Sequence, residues 1–370
     1  MRIGITGAAG FLGAALLRRL AAAAPGDTFV PFCARRTANP LTDHLGIRHV
    51  ALDVTDRAGV LAATRGLDAL YHVAGMVSYD RRSRRRAWDV NVHGTRNVID
   101  AAAANGIGKV IYVSSISVLG APSPEAPWAD EGNDRYVPGR NPISFPDAEA
   151  ALAAVEDSLR GDYRFLSAVR VPYFDSKLAA FEDARRTAAA RGVSLVTVMP
   201  GTAVGAGDTG MAIGGLVQRV WDGALRLTLP GGTSFVASED VAAGIAAAAA
   251  RGRPGEAYII TGREQDNLGY AAFMRMVARV AAERFHHRCF DRFRSVPAPA
   301  AVAVASVVEG LFPGTALPRG LVLSGCVTHR FGSRKAGEEL GYVPRVPLED
   351  AIASCIEFNL HVLQLKEKAA

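Results

Sequence analysis

Short apolar runs alternate with amphipathic stretches through the first two hundred positions. Arg2–Thr6, Thr28–Cys33, Arg48–Asp53, Ala69–Val73, Lys109–Val113 and Ser194–Met199 are brief segments rich in branched and aromatic side chains. Apolar runs of that length, bounded by turn residues, predict strands buried on both faces. Between them, Phe11–Ala24, Asp56–Thr64, Trp88–Ala104 and Tyr173–Arg191 are dominated by helix formers. In Trp88–Ala104 the positions Val92, Thr95, Val98 and Ile99 recur at helical spacing on one face. Strand and helix alternate with short joints, which predicts an α/β chain built on a doubly wound parallel sheet.

Two stretches break the rhythm. Ala121–Pro172 holds several prolines and glycines and then a helical run, Asp147–Leu159, and reads as a surface excursion bordering the substrate mouth. Beyond Pro200 the alternation gives way to glycine-rich loops, a helix at Ile213–Trp221, a strand at Ala257–Ile260 and further helical segments. The expected organisation is a dinucleotide-binding domain over 1–200, with 235–262 returning to it, and a smaller, mostly helical substrate lobe over 201–370.

Composition narrows the class. Of 370 residues 49% are hydrophobic and 21% charged, enough for a large core and too apolar for a disordered chain. The net charge of +6 is mild and compatible with anionic ligands. Arg81, Arg82, Arg84, Arg85 and Arg86 form a cluster that either attracts a phosphate-bearing substrate or is a solvated face. No aromatic residues interleave it, so nucleic acid is not an expected partner. Cys33, Cys289, Cys326 and Cys355 form no Cys-x-x-Cys pair, and His286–His287 beside Cys289 lacks zinc-ligand spacing, so no metal is expected. The first strand begins at Arg2, leaving no room for a signal peptide, and the longest apolar run, Ala298–Val308, is too short to cross a bilayer. That run predicts a core helix, with an apolar lid touching lipid as the alternative. A cytoplasmic enzyme acting on a small molecule is the expectation.

The chemistry begins at Thr6-Gly7-Ala8-Ala9-Gly10-Phe11-Leu12-Gly13, between the first strand and the first helix. Gly7 permits the tight turn, Gly10 lets backbone approach a pyrophosphate, and Gly13 lets helix lie close to sheet. The N–H groups of the first helical turn, at Phe11, Leu12 and Gly13, then face the phosphates. The second strand runs into Ala34-Arg35-Arg36, with no carboxylate at its tip to bind a ribose 2′-OH and two guanidinium groups able to clamp a 2′-phosphate. NADP(H) is therefore favoured over NAD(H). Asp53 ends the third strand within reach of the adenine amino group.

The second motif is Tyr173-Phe174-Asp175-Ser176-Lys177. With nine tyrosines and five lysines, a chance Tyr-x-x-x-Lys is expected about 0.12 times, and this one falls on a predicted helix where residues four apart share a face. A neighbouring ammonium, with the positive nicotinamide of an oxidised cofactor, lowers a phenol's pKa, so Tyr173 is the expected general acid/base, with Lys177 tuning it and holding ribose. Val113-Ser114-Ser115-Ile116-Ser117 places hydroxyls at the end of the fifth strand.

These motifs, with Asp53-Val54-Thr55-Asp56, His72-Val73-Ala74-Gly75, Asn91-Val92-x-Gly94-Thr95 and Lys335-Ala336-Gly337-Glu338-Glu339-Leu340-Gly341-Tyr342-x-Pro344, resemble the extended short-chain dehydrogenases/reductases over nearly the whole chain. The resemblance implies a Rossmann fold and makes Ser115 the catalytic hydroxyl. It adds Val54, Ala74, Gly75 and Pro200 to the cofactor set and places Met76, Ser117 and Thr202 beside the substrate. Asn91 is architectural in the family, and a homodimer is the family habit. The stretches Pro200–Asp208 and Gly231–Val236 look closer to dihydroflavonol reductases and 3β-hydroxysteroid dehydrogenases than to sugar epimerases. The expected reaction interconverts a ketone and a secondary alcohol on an apolar molecule. A nucleotide-sugar epimerase or dehydratase using tightly held NAD, and a non-catalytic NADP sensor, are the alternatives.

Overall fold

The computed structural model describes residues 1–34, 39–122, 128–133, 147–167, 170–210, 213–312, 314 and 318–369. Six parallel strands occupy the first two hundred positions: β1 (Arg2–Thr6), β2 (Thr28–Cys33), β3 (Val50–Ala51), β4 (Ala69–His72), β5 (Lys109–Val113) and β6 (Leu195–Pro200). The helices among them are α1 (Phe11–Ala23), α2 (Arg57–Ala63), α3 (Arg84–Trp88), α4 (Gly94–Ala104), α5 (Ala148–Leu159) and α6 (Pro172–Arg191). The third strand is shorter than its apolar run predicts. It is the sheet edge and pairs only through Val50 and Ala51. The helix expected over Trp88–Ala104 is interrupted by a π-helical turn at Asp89–His93.

After β6 come β7 (Thr202–Val204), α7 (Ile213–Trp221), β8 (Leu227–Thr228), β9 (Gly232–Ala237), α8 (Ser238–Arg251) and β10 (Ala257–Ile260). The chain continues through β11 (Asn267–Gly269), α9 (Tyr270–Phe285), β12 (Arg294–Ser295) and α10 (Ala298–Leu311). It ends with α11 (Arg319–Gly325), β13 (Thr328–His329), α12 (Arg334–Leu340) and α13 (Leu348–Ala369). β10 pairs with β6 and completes the sheet order β10-β6-β5-β4-β1-β2-β3. The direction of winding reverses between β1 and β4, so the crevice for a ligand opens beyond their carboxyl ends.

One apolar layer covers each face of this sheet. Ile5, Val196 and Ile260 meet α1, α8 and α12 through Leu16, Ile245 and Leu340 on one side. Leu70 and Val110 meet α4 and α6 on the other, where Ala101, Ala180 and Ala184 let the helices approach closely. Arg96 of α4 reaches the buried Asp183 of α6 at 2.6 Å and ties these helices together.

Two expectations need correction. Ala298–Val308 does not form a core helix: it lies in α10, of which only Ala305 is buried. The C-terminal part is mostly helical, as expected, and adds a small sheet: β9 is the centre of a four-stranded mixed sheet with β7, β11 and β13, and β8 pairs with β12. These strands are too short and too rich in glycine to show a period of two. The Ala121–Pro172 stretch is also more than a surface excursion. Ala151, Ala154 and Val155 of α5 are buried, and Glu131 accepts a hydrogen bond from the Ile259 N–H at 2.8 Å.

Candidate active site

The turn after β1 is shaped by what cannot be added to it. Gly7 adopts φ +71°, and a Cβ there would lie 2.7 Å from the Ala74 backbone. A Cβ on Gly13 would overlap the Gly7 carbonyl oxygen. Gly10 caps α1 without a side-chain hydrogen bond, and the first intrahelical bond runs from Ala14 N–H to Gly10 O at 2.8 Å. The N–H groups of Phe11, Leu12 and Gly13 are thus left without helical acceptors, at the positive end of the helix dipole. Such a cradle fits the pyrophosphate of a dinucleotide.

A buried relay positions the opposite rim. Thr95 Oγ1 donates to the Asn91 carbonyl at 2.6 Å, so it must accept from His72 Nε2 at 2.9 Å. Burial drives the His72 pKa down to about 3. The neutral ring then accepts at Nδ1 from Thr6 Oγ1 at 2.8 Å, and Thr6 Oγ1 accepts from the Ala74 N–H at 3.3 Å. Ala74, the residue that faces Gly7, is therefore held from within the core.

Asn91 does the same one turn on. In the π-helical turn its Oδ1 accepts from the Met76 N–H at 2.8 Å. Its Nδ2 donates to the Met76 carbonyl at 3.0 Å and to Ser176 Oγ of α6 at 2.9 Å. Met76 is thereby tied to the helix that carries Tyr173 and Lys177. Such wide turns recur at functional sites.

Tyr173 enters α6 just after Pro172 at its first position, and its N–H donates to the Ser78 carbonyl at 3.1 Å. Burial raises the Tyr173 phenol above its usual range, while hydrogen bonding to the Ser115 and Ser117 hydroxyls opposes that rise. Ser117 Oγ stands beside the phenol without completing a bond of full geometry. Lys177, also buried, donates from Nζ to the Val113 carbonyl at 3.1 Å and lies 5.6 Å over the Tyr112 ring. Its pKa falls to about 8 through burial. The phenol's pKa was expected to be lowered by the ammonium together with an oxidised nicotinamide; in the chain alone, burial outweighs the serine hydrogen bonds and the phenol stays protonated. A Cβ on Gly75 would come within 3.3 Å of Nζ, so Gly75 leaves open the space over the lysine.

The remaining expected residues spread along the crevice. Asp53 accepts from the N–H and hydroxyl of Thr55 at 3.0 and 2.8 Å. Burial would raise its pKa, but those bonds and nearby Arg86 hold it below the usual carboxylate range. A cavity of about 490 Å³, lined by Ala34, Leu52, Asp53 and Asp56, opens at this end. Val54 is buried against Gly94, and Pro200 closes β6. Thr202 Oγ1 meets Thr233 Oγ1 at 2.9 Å. Arg35 and Arg36 lie outside the described residues. The arginine cluster is partly engaged within the chain: Arg84 lies 4.8 Å over Phe165, Arg85 lies 5.6 Å over Tyr163, and Arg82 pairs with Asp80 at 2.8 Å. His287, weighed above as a metal ligand, stacks on Trp221 at 4.0 Å.

Sequence reasoning missed the aromatic residues gathered around Tyr173 and its neighbours Tyr79 and Phe174. The Tyr79 ring lies 6.1 Å from that of Tyr173, and its hydroxyl bonds Ser324 of α11. Tyr270, at the start of α9, is near enough to raise the Tyr79 pKa. His329 lies 6.2 Å from the Phe174 ring, and its Nδ1 donates to the Gly120 carbonyl at 3.3 Å. Its Nε2 is consequently a bare acceptor, buried without a partner among the described residues, and burial lowers the ring's pKa to about 4. Only the Tyr79 loop neighbours a recognised motif; nothing local marks the others.

Comparisons with known proteins give the family. The chain matches the sequence model of the NAD dependent epimerase/dehydratase family over residues 3–144 and 146–261. It is similar to sterol demethylase protein B of Methylococcus capsulatus, 29% identical over 70% of this chain and 69% of that protein. It is also similar to the 2-alkyl-3-oxoalkanoate reductase of Stenotrophomonas maltophilia, 28% identical over 95% of this chain and 97% of that one. Among solved structures, gox2253 superposes with TM-score 0.73 at 27% identity, covering 96% of this chain and 97% of its own.

Proposed function

Because the chain belongs to the NAD dependent epimerase/dehydratase family, the extended short-chain dehydrogenases/reductases, and so is an NAD(P)-dependent oxidoreductase, we propose that it is an NADP(H)-dependent reductase/dehydrogenase interconverting a ketone and a secondary alcohol on an apolar small molecule. The observation that carries this reading is the Tyr173 phenol bracketed by the Ser115 and Ser117 hydroxyls, with Lys177 buried on the same helix.

When bound, the dinucleotide supplies or accepts the hydride. The chain does the rest. Gly7, Gly10 and the N–H groups of Phe11, Leu12 and Gly13 would hold the pyrophosphate; Asp53 and Val54 would border adenine; Ala74, Gly75 and Pro200 would border the nicotinamide end. Ser115 would donate a hydrogen bond to the substrate oxygen and fix its distance from Tyr173. Burial keeps Tyr173 protonated, ready to give its proton to that oxygen, and Lys177 would stabilise the phenolate left behind. In the reverse direction the phenolate takes the alcohol proton. Met76, Ser117 and Thr202 would face the substrate, with Tyr79 and Phe174 providing aromatic surface. Similarity to a reductase of alkyl oxoalkanoates supports the apolar ketone. Arg35 and Arg36 support NADP(H).

The test is NADPH oxidation by the purified protein against steroid, flavonoid and 3-oxoacid ketones, with NADH alongside and the alcohol identified by mass spectrometry. Turnover preferring NADPH is expected. Co-purified NAD with no net NADPH consumption would point to the sugar epimerase. NADPH binding without turnover would point to the sensor.

A further inference from the structure

Helix α10 is built unlike the other long helices of this fold. Of its residues only Ala305 is buried. Ala300, Val304, Val307 and Leu311, spaced to share one face, lie open, and Phe312 continues the stripe. Leu311 is 69% and Phe312 66% exposed. A helix on a water-facing surface turns a polar face outward; this one turns its apolar face outward.

A groove of about 540 Å³ runs along one edge of that stripe, between Ser306, Glu309 and Gly310 of α10 and the side chains of Arg81, Arg170 and Arg319. Glu309, the only acid on the helix, is occupied by the Arg319 backbone N–H at 2.9 Å. Among the described residues none of these three guanidinium groups has a carboxylate partner. Arg170 also sits at φ +53°, a left-handed conformation costly for a side chain of this kind.

We propose that α10 and this groove dock the protein on an anionic phospholipid surface, the apolar stripe entering the acyl boundary and the arginines meeting headgroup phosphates. An apolar stripe with cations along its border is the arrangement that binds in the plane of a membrane. No helix among the described residues is long and apolar enough to cross one. The surface also adjoins the crevice. Gly320 of α11 leaves room for the Tyr79 carbonyl, 3.0 Å from where its Cβ would be, and for Val171, and Tyr79 in turn faces Tyr173. A lipid-like ketone would then reach the acid/base from the bilayer side. This goes beyond the reaction proposed above, and its test needs no turnover.

The purified full chain is sedimented with vesicles of phosphatidylcholine alone and of an equal mixture of phosphatidylcholine and phosphatidylglycerol. Binding to the mixture only, weakened by salt, is expected. Val307→Glu with Leu311→Glu should abolish it. Arg170→Ala with Arg319→Ala should weaken it about twenty-fivefold, since each arginine near an anionic surface contributes about fivefold. Thermal melts of both double variants should stay close to the parent's, because Arg170, Val307 and Leu311 are exposed and Arg319 lines an open groove. Absence of binding to the mixed vesicles would overturn the proposal, as would binding that the glutamate variant leaves intact. So would a dimer that the glutamate variant dissolves, or inorganic phosphate held in the groove, where neither is accompanied by vesicle binding.

Discussion

The two walls of the crevice are made of different material. The wall at the ends of β1 and β4 is backbone: glycines too crowded for a Cβ, free N–H groups and a rim held by the neutral His72. The wall at β5 and α6 is side chain: phenol, ammonium and hydroxyls whose protonation burial has moved. The first wall has almost nothing to titrate and tolerates no added bulk. The second depends instead on the identity of its functional groups. Binding and chemistry should therefore be separable by mutation.

The sharpest test of that separation is Tyr173→Phe. Removing only the hydroxyl should lower kcat by about a thousandfold while NADPH affinity, read by fluorescence titration, changes less than twofold. Retained turnover would reject the acid/base assignment. The converse is Gly13→Val, which drives a side chain into the Gly7 carbonyl. NADPH binding should weaken about a hundredfold and the fold lose about 1–3 kcal/mol in a denaturant melt. Near-parental affinity would mean that the cradle holds no phosphate.

Asn91→Ala tests the link between the walls. It frees the Met76 backbone and Ser176, and should lower kcat about tenfold while leaving the NADPH Kd within a factor of two or three. Equal losses in both would make Asn91 a general stabiliser.

The smallest expected effect is on stability. Burial raises the Asp175 pKa to about 7 against hydrogen bonds from Ser167 and Leu166. The folded protein then binds a proton that the unfolded chain has already released, so stability falls as pH rises from about 4 toward 7. The Tm difference between Asp175→Asn and the parent should move in the variant's favour over that interval. A difference independent of pH would place the proton elsewhere.

The same contrast explains what was legible beforehand. Gly7, Gly10 and Gly13 lie within one turn and report a local constraint, so the cradle reads directly from the chain. Tyr173 and Lys177 are readable because helical spacing places them together. Strands β1, β4, β5 and β6 announce themselves because parallel strands buried on both faces are continuously apolar, whereas the exposed edge strand β3 does so only in part. Thr202–Val204, flanked by glycines, and the two-residue Thr328–His329 do not, since their pairing with β9 is decided by distant contacts. Tyr79, Tyr270 and His329 come from three segments joined only in the fold. The direction of the Tyr173 shift was hidden for the same reason: a lysine four residues away is visible in a sequence, whereas the desolvation of the phenol is not.

The wide turn at Asp89–His93 has one further consequence. A π turn holds one residue more than its α counterpart, and each residue advances a helix by about 100°. Trp88 and Val98, both fully buried, therefore keep their faces toward the core only while that extra residue is present. Shortening the turn by one position would rotate everything before it against everything after it. The phase of the helix, rather than any single contact, is then what keeps the amide of residue 91 opposite the loop it holds.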